Sequence, residues 1–317
     1  MGPVHRMHRP GLAASLAFAI ALASAPGPAS AQSCCLSATA SGVGRLLAWE
    51  NAAAGLQLSF ADSLGYHGTD GRFHRAGPDY IDNQFTANLW ALFDLGRKVT
   101  LYGSLPLVLN QRVAGNLGSG VGGGTGDVQG GLRWDALPVG SHPSRPALAF
   151  TLTATIPTGR STGQALLAGD ALGTGITGRG AFVLSAAAIV EKSALKWFLR
   201  GVVGANVPLP ADQPGTSITQ RFGPGFTATV MMGGELIEDL VLTGILRCTF
   251  ESNLTVGNEA IADTWILDPG AGLALSWRPN PHVTMQAGID SNLFLDGLGH
   301  NTPARVTATL GMRYGVF

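Results

Sequence analysis

The chain has 317 residues, of which only 13% are charged, 45 are glycine, and Lys+Arg equals Asp+Glu at 20 each. A net charge of zero argues against a nucleic-acid partner or a strongly charged docking surface. Mean hydropathy is +0.23, as in a membrane chain, yet beyond the amino end no run approaches the ~20 apolar residues of a spanning helix. A closed barrel is then the remaining way to satisfy backbone polar groups in hydrocarbon.

Residues 1–31 read as a secretory signal. His5, Arg6, His8 and Arg9 give a positive start, Gly11 to Ala23 an apolar core, Pro26 and Pro28 its break. Ala29-Ser30-Ala31 supplies a small-residue cleavage site. The mature chain is expected to begin at Gln32, and 32–54 to form a periplasmic segment. Within it Arg45-Leu46-Leu47-Ala48-Trp49-Glu50 suits a short helix plugging the periplasmic mouth. Cys34 follows the cleavage region but lacks the Leu-containing box of a lipoprotein. Cys34 and Cys35 are adjacent and Cys248 is remote, so the three cysteines form neither a disulfide framework nor a metal-ligand spacing.

From residue 55 onward, period-two segments recur, about twelve in all, each of a length suited to a tilted spanning strand. They lie near Gly55–Tyr66, Tyr80–Asp94, Val99–Asn110, Asp127–Asp135, Ala147–Pro157, Arg179–Glu191, Leu195–Val207, Phe222–Leu236, Leu240–Phe250, Thr264–Trp277, Val283–Leu295 and Ala304–Phe317. In the third, Leu101, Leu105, Leu107 and Leu109 alternate with Thr100, Tyr102, Ser104 and Asn110. The last sets Val306, Ala308, Leu310, Met312, Tyr314 and Val316 against Arg305, Thr307, Thr309, Gly311 and Arg313. Bulky apolar residues on one face and polar ones on the other are what a lipid-facing barrel strand requires. Phe317 is one residue out of phase with that apolar face, which a bulge at Gly315 would correct.

Connections alternate in length. Short ones fall at 95–97, 138–145, 191–193, 235–239 and 278–281, and long ones at 67–79, 111–125, 158–177, 208–221, 251–263 and 296–303. Short periplasmic turns facing long outer loops are the barrel layout, and put both chain ends in the periplasm. A soluble sandwich also alternates, but nothing in it requires that loop rhythm. The expectation is an all-β transmembrane antiparallel up-and-down barrel over 55–317, in the outer membrane of a Gram-negative cell, with lipid and the barrel-assembly machinery as partners. Its oligomeric state stays open.

Gly118-Ser119-Gly120-Val121-Gly122-Gly123 matches a dinucleotide fingerprint formally, but no helix follows to receive a pyrophosphate. It reads as a flexible outer loop, and no cofactor is expected. The stretch that follows, Gly122-Gly123-Gly124-Thr125-Gly126-Asp127-Val128 with Gly131-Leu132-Arg133, then Ile156-Pro157-Thr158-Gly159, carries a resemblance. Over about forty residues it resembles the outer-membrane β-barrel transporter family of the phenol meta-cleavage pathway type. The resemblance implies a channel for small hydrophobic or aromatic compounds.

Some twelve-stranded outer-membrane barrels are phospholipases built on a Ser–His pair. Here His67, His74, His142, His282 and His300 fall in loops or at strand ends, and no GxSxG is present. No enzyme is expected, and the polar loop of His67, Asp70, His74 and Asp79 reads as solvated rather than metal-binding. Inward, pore-lining candidates are Asp82, Gln84, Asn88, Gln129, Arg133, Asp135, Arg200, Asn206, Arg247, Asp268, Asp290 and Arg313. Their mixed signs favour internal ion pairs, and small inward residues such as Ser104, Thr151 and Gly288 leave room for a narrow pore. In the longest loop the apolar Gln164-Ala165-Leu166-Leu167-Ala168 run, closed by Asp170, is a gate candidate. Burying that run at the mouth would shield it from water. A non-conducting barrel that anchors or docks partners is the alternative.

Overall fold

The computed structural model describes residues 45–115, 118–139, 145–194, 196–212 and 219–317. The signal segment, Gln32, Cys34, Cys35 and His142 lie outside the described residues. The wall is made of β1 (Ala52–His67), β2 (Tyr80–Asp94), β3 (Val99–Ala114), β4 (Val128–Leu137), β5 (Ala147–Ile156), β6 (Val183–Ala194), β7 (Trp197–Pro208), β8 (Gly225–Ile237), β9 (Leu240–Glu251), β10 (Ile266–Asn280), β11 (Val283–Asn292) and β12 (Thr302–Val316). Each strand pairs antiparallel with its sequence neighbours, and β12 returns to β1 from Ala52↔Val316 to His67↔Thr302. Closure leaves the twelve-stranded wall without an edge strand.

Alternation follows the residues as the sequence suggests. Phe85, Leu89, Leu101, Leu109, Leu132, Leu152, Leu246 and Leu310 are exposed on the outer surface, while Thr100, Asn110, Arg133 and Arg313 on the same strands are buried. Outward aromatics gather at two levels. Tyr66, Phe226 and Phe250 stand near the long-loop end, and Phe93, Trp134, Trp277 and Tyr314 near the short-turn end. Two aromatic girdles around an apolar band match the two interfaces of a bilayer. Cys248 is free and faces outward among these side chains.

Inside, large side chains rest on glycines directly across the ladder. Trp90 pairs with Gly55, Tyr102 with Gly131, Phe198 with Gly233 and Arg247 with Gly270. A Cβ at Gly131 would stand 2.5 Å from the Tyr102 hydroxyl, and one at Gly55 only 2.3 Å from the Trp90 ring. Two apolar clusters form on the inner face: Phe198, Met231 and Val241, and Ala53, Leu92 and Tyr102 with Leu46 packed against them.

Three sequence expectations are corrected. The expected loop at 111–125 is a raised hairpin: β3 runs on to Ala114, and a strand over Ser119–Thr125 pairs with it from Leu107↔Thr125 to Val113↔Ser119. That strand extends the β4 wall position outward, so the fingerprint-like glycines are extended wall and not a loose loop. Gly115 and Gly118 take φ of +36° and +84° at the turn, which glycine adopts without steric cost. The amino segment is a turn rather than a helix, because the backbone N–H of Leu47 is drawn onto the Glu50 carboxylate at 2.7 Å.

There is also no bulge at Gly315. The β1–β12 ladder stays in register through Gly315↔Ala53, and its shift lies between Ser63 and Gly65. Phe317 follows the strand end and stacks on His282 with centroids 4.2 Å apart. His282 also stacks on Tyr314 and lies 3.0 Å from the Gly315 carbonyl through Nδ1. Smaller boundary shifts start β1 at Ala52 rather than Gly55 and β6 at Val183 rather than Arg179.

Candidate functional site

Asp82, Gln84, Asn88, Gln129, Arg133, Asp135, Arg200, Asn206, Arg247, Asp268, Asp290 and Arg313 all occupy inward register positions, opposite in phase to the exposed apolar residues of their strands. Most of their charges are tied to each other. Near the outer end, Asp82 takes Arg112 Nε at 2.9 Å and Arg305 Nη2 at 3.1 Å. Arg247 lies between Asp290, 2.9 Å, and Asp268, 3.1 Å, and Asn292 donates to Asp268. Arg133 grips Asp135 side-on, and Gln84 donates to Asn110 at 2.9 Å.

At the periplasmic end, residues 45–50 turn into the mouth. Glu50 is 4% exposed and accepts from both terminal guanidinium nitrogens, Nη1 and Nη2, of Arg313, itself 6% exposed. Arg45 reaches Glu191 at 3.3 Å, and Arg200 donates to the same carboxylate from Nε at 2.7 Å. A buried pair of this kind holds because each charge is compensated where water cannot reach it. The segment with the side chains it touches fills part of this end.

The connection between β5 and β6 shapes the outer end. It carries α1 (Thr162–Leu167), started by a Ser161–Gln164 capping box in which Ser161 N–H donates to Gln164 Oε1 at 2.9 Å. Ala165 is buried, whereas Leu166 and Leu167 are exposed. After the helix, Asp170 accepts backbone N–H bonds from Gly175, 2.6 Å, and Thr174, 3.1 Å. The Gly175 N–H foremost, with that of Thr174, holds the Asp170 carboxyl below the ordinary carboxylate value.

That turn drives 172–176 against the inner wall. Asn110 donates to the carbonyls of Thr174, 2.9 Å, and Ile176, 2.8 Å. Arg112 Nη1 donates to those of Leu172, 2.9 Å, and Gly173, 2.8 Å. The wall makes room: a Cβ at Gly120 would lie 3.1 Å from Leu172, and one at Gly122 would lie 2.8 Å from Thr174.

Asp127 fixes both roots of this connection. Its carboxylate accepts from Gly159 N–H at 3.0 Å and from Arg179 N–H at 2.7 Å. Thr158 Oγ1 donates to the Gly126 carbonyl at 2.7 Å and accepts from Val128 N–H at 3.0 Å, filling the gap in the ladder at residues 126–127. Gly178 lies so close to Asp127 that a Cβ would stand 2.2 Å from its carboxylate. The two motifs that carried the family resemblance thus meet in space.

His67, Asp70, His74 and Asp79 do not converge. His67 is buried beside Phe73, while Asp70 and His74 face each other at 3.5 Å on the exposed side. No group of three or more potential metal-ligating His, Cys, Asp or Glu residues occurs among the described residues.

No protein-family model and no curated protein matches the sequence. Solved structures do match. An outer membrane channel from Pseudomonas putida F1 aligns with a TM-score of 0.68 at 16% identity, over 85% of this chain and 96% of that one. The chain has the fold of an outer-membrane channel. A NanC porin, 9% identical over 82% of this chain and 98% of that one, gives a TM-score of 0.47. The beta domain of a Bordetella autotransporter, 11% identical over 84% and 99%, gives 0.46. Those two share too little geometry for anything to rest on them.

Sequence reasoning missed Arg112 and Glu191 among the lumen residues, and it placed Arg305 on the inward face and Glu50 in the mouth segment without finding their partners Asp82 and Arg313. Arg112 sits two places beyond inward Asn110, so extending the alternation would have found it. The spacing of Gly120, Gly122 and Gly124 at every second residue is itself a strand signal, obscured by the low strand preference of glycine.

Proposed function

We propose that this protein is a passive channel of the bacterial outer membrane for small solutes, hydrophobic or aromatic compounds in particular. The observation that carries it is Gln129: it points inward, between Ser104 and Thr155 on the neighbouring strands, and is nevertheless exposed. An inward side chain reached by water means that the lumen beside it is not filled. Inward Ser104, Gln286 and Thr309 are likewise only half-buried. Lumen carboxylates lie against guanidinium groups, so no single-sign field selects for ions, which suits an uncharged solute. The family resemblance points to the same solute class. Gln164 in the first turn of α1, its exposed Leu166 and Leu167, and Asp170 just beyond its end are the gate candidates of the outer loop.

The test is single-channel recording in planar bilayers, with liposome swelling for neutral solutes. Small, weakly ion-selective conductance and faster swelling with small aromatic compounds than with sugars are the expected results. Deleting Gln164–Asp170 should raise both. A silent, correctly folded barrel would favour the anchoring alternative, for which the segment in the periplasmic mouth is the supporting observation.

A further inference from the structure

We infer that residues 172–176 form the size-setting arm of the lumen, and that Asn110, Arg112 and the glycine row of the β4 extension are its clamp and seat. The inference rests on the channel reading and adds which residues fix the bore. An arm held at its tip against the inner wall makes the wall two layers thick on that side. Four backbone carbonyls of the arm are taken by two side chains of β3. Gly173, Thr174 and Gly175 are buried between them and the wall.

Neither clamp residue is there only to complete the barrel. Asp82 would keep Arg305 if Arg112 were lost, and the β3–β2 ladder pairs Asn110 and Arg112 through their backbones whatever their side chains. The seat is equally specific. At Gly120 and Gly122 a side chain would occupy the space that the arm uses, while the strand itself would accept one, since neither has a positive φ. Asp127 acts one step away, as a positioning residue: it joins the Gly159 and Arg179 ends of the connection, so that the arm starts and ends at fixed points.

The arm can be released in two independent ways. Asn110→Ala with Arg112→Ala removes the clamp, and Gly122→Val fills the seat while leaving the clamp intact. Both variants should assemble, as read from heat-modifiable gel migration, and both should raise single-channel conductance and the size of sugar that enters liposomes severalfold. A Gly120→Cys and Thr174→Cys pair, in a background with the three native cysteines changed to Ser, then re-fastens the arm in the clamp variant. Its Cβ atoms fall within reach of the about 3.5–4.5 Å that a disulfide spans, since a Cβ at Gly120 lies 3.2 Å from Thr174 Cγ2. Oxidation should restore low conductance, and reductant should abolish the effect.

Unchanged conductance in assembled clamp and seat variants, with a conducting wild type, overturns the arm while leaving the channel reading intact. A rise that cross-linking does not reverse also overturns it, by showing that the bulk of Arg112 itself set the bore. A wild type and variants that are all silent refute the channel reading first, and the arm with it.

Discussion

The two ends of the lumen are narrowed by different chemistry. At the periplasmic end the intruding segment is held by charge against charge, Glu50 on Arg313 and Arg45 on Glu191, with both carboxylates almost fully buried. At the outer end the intruding residues 172–176 are held through their backbone carbonyls, for which the wall supplies uncharged and guanidinium donors. Removing one partner of a buried ion pair strands the other charge, whereas water can replace a donor lost from a carbonyl near the mouth. The periplasmic insert is therefore built to stay, and the outer one to be adjustable.

Glu50→Ala should have the largest effect, costing about 3–5 kcal/mol because Arg313 is left buried without its carboxylate. A lowered unfolding midpoint in detergent, with easier proteolysis after Arg45, is the expected result. An unchanged midpoint would mean that the two ends are held equally loosely. The wall shared by both ends is tested next. Leu132→Arg or Phe150→Arg places a charge on the outward band at about 2–4 kcal/mol and should abolish assembly, whereas Gln129→Arg, facing inward, should assemble normally. Equal behaviour of these three in a folding assay would show that the register is misassigned.

Gly131→Ala comes third. It pushes a methyl group into the Tyr102 ring and should destabilise by about 1–3 kcal/mol, with no change in ion selectivity. The smallest effect concerns pH at the outer end. The folded state holds the Asp170 carboxyl below its ordinary value, so its contribution is complete above the unfolded value of about 3.9 and is lost only as pH falls through the folded one. Conductance should be flat through neutral pH and rise only in strong acid, and Asp170→Asn should remove that acid step. A step near neutrality would assign the control to another group.

Most of the wall was legible because inside and outside differ chemically at every second residue. The alternation of Leu101 to Leu109 against Thr100 to Asn110 needed no tertiary information. What stayed hidden depends on contacts between distant segments. The raised hairpin was read as a loop because glycine-rich strands carry no alternation in side chains, and their partner here is the arm rather than lipid. Nor could the sequence show that Asp127 would meet Gly159 and Arg179, or that Phe317, out of phase with its strand, would settle on His282. The inward candidates lie opposite the exposed apolar residues of their strands, but their pairing, such as Arg247 between Asp268 and Asp290, follows from the stagger of the closed barrel.

The glycines beneath Trp90, Tyr102, Phe198 and Arg247 also bear on how the barrel is assembled. Each is a keyhole that accepts its key at one alignment of two neighbouring strands. Sliding β4 by two residues along β3 would keep every apolar side chain facing outward, so the lipid band alone cannot detect that error. Tyr102 can, because it would then meet Gln129 or Arg133 instead of Gly131. With such keys on the β1–β2, β3–β4, β7–β8 and β9–β10 seams, proofreading of the stagger is distributed around the circumference, and a misaligned barrel is penalised before its last seam closes.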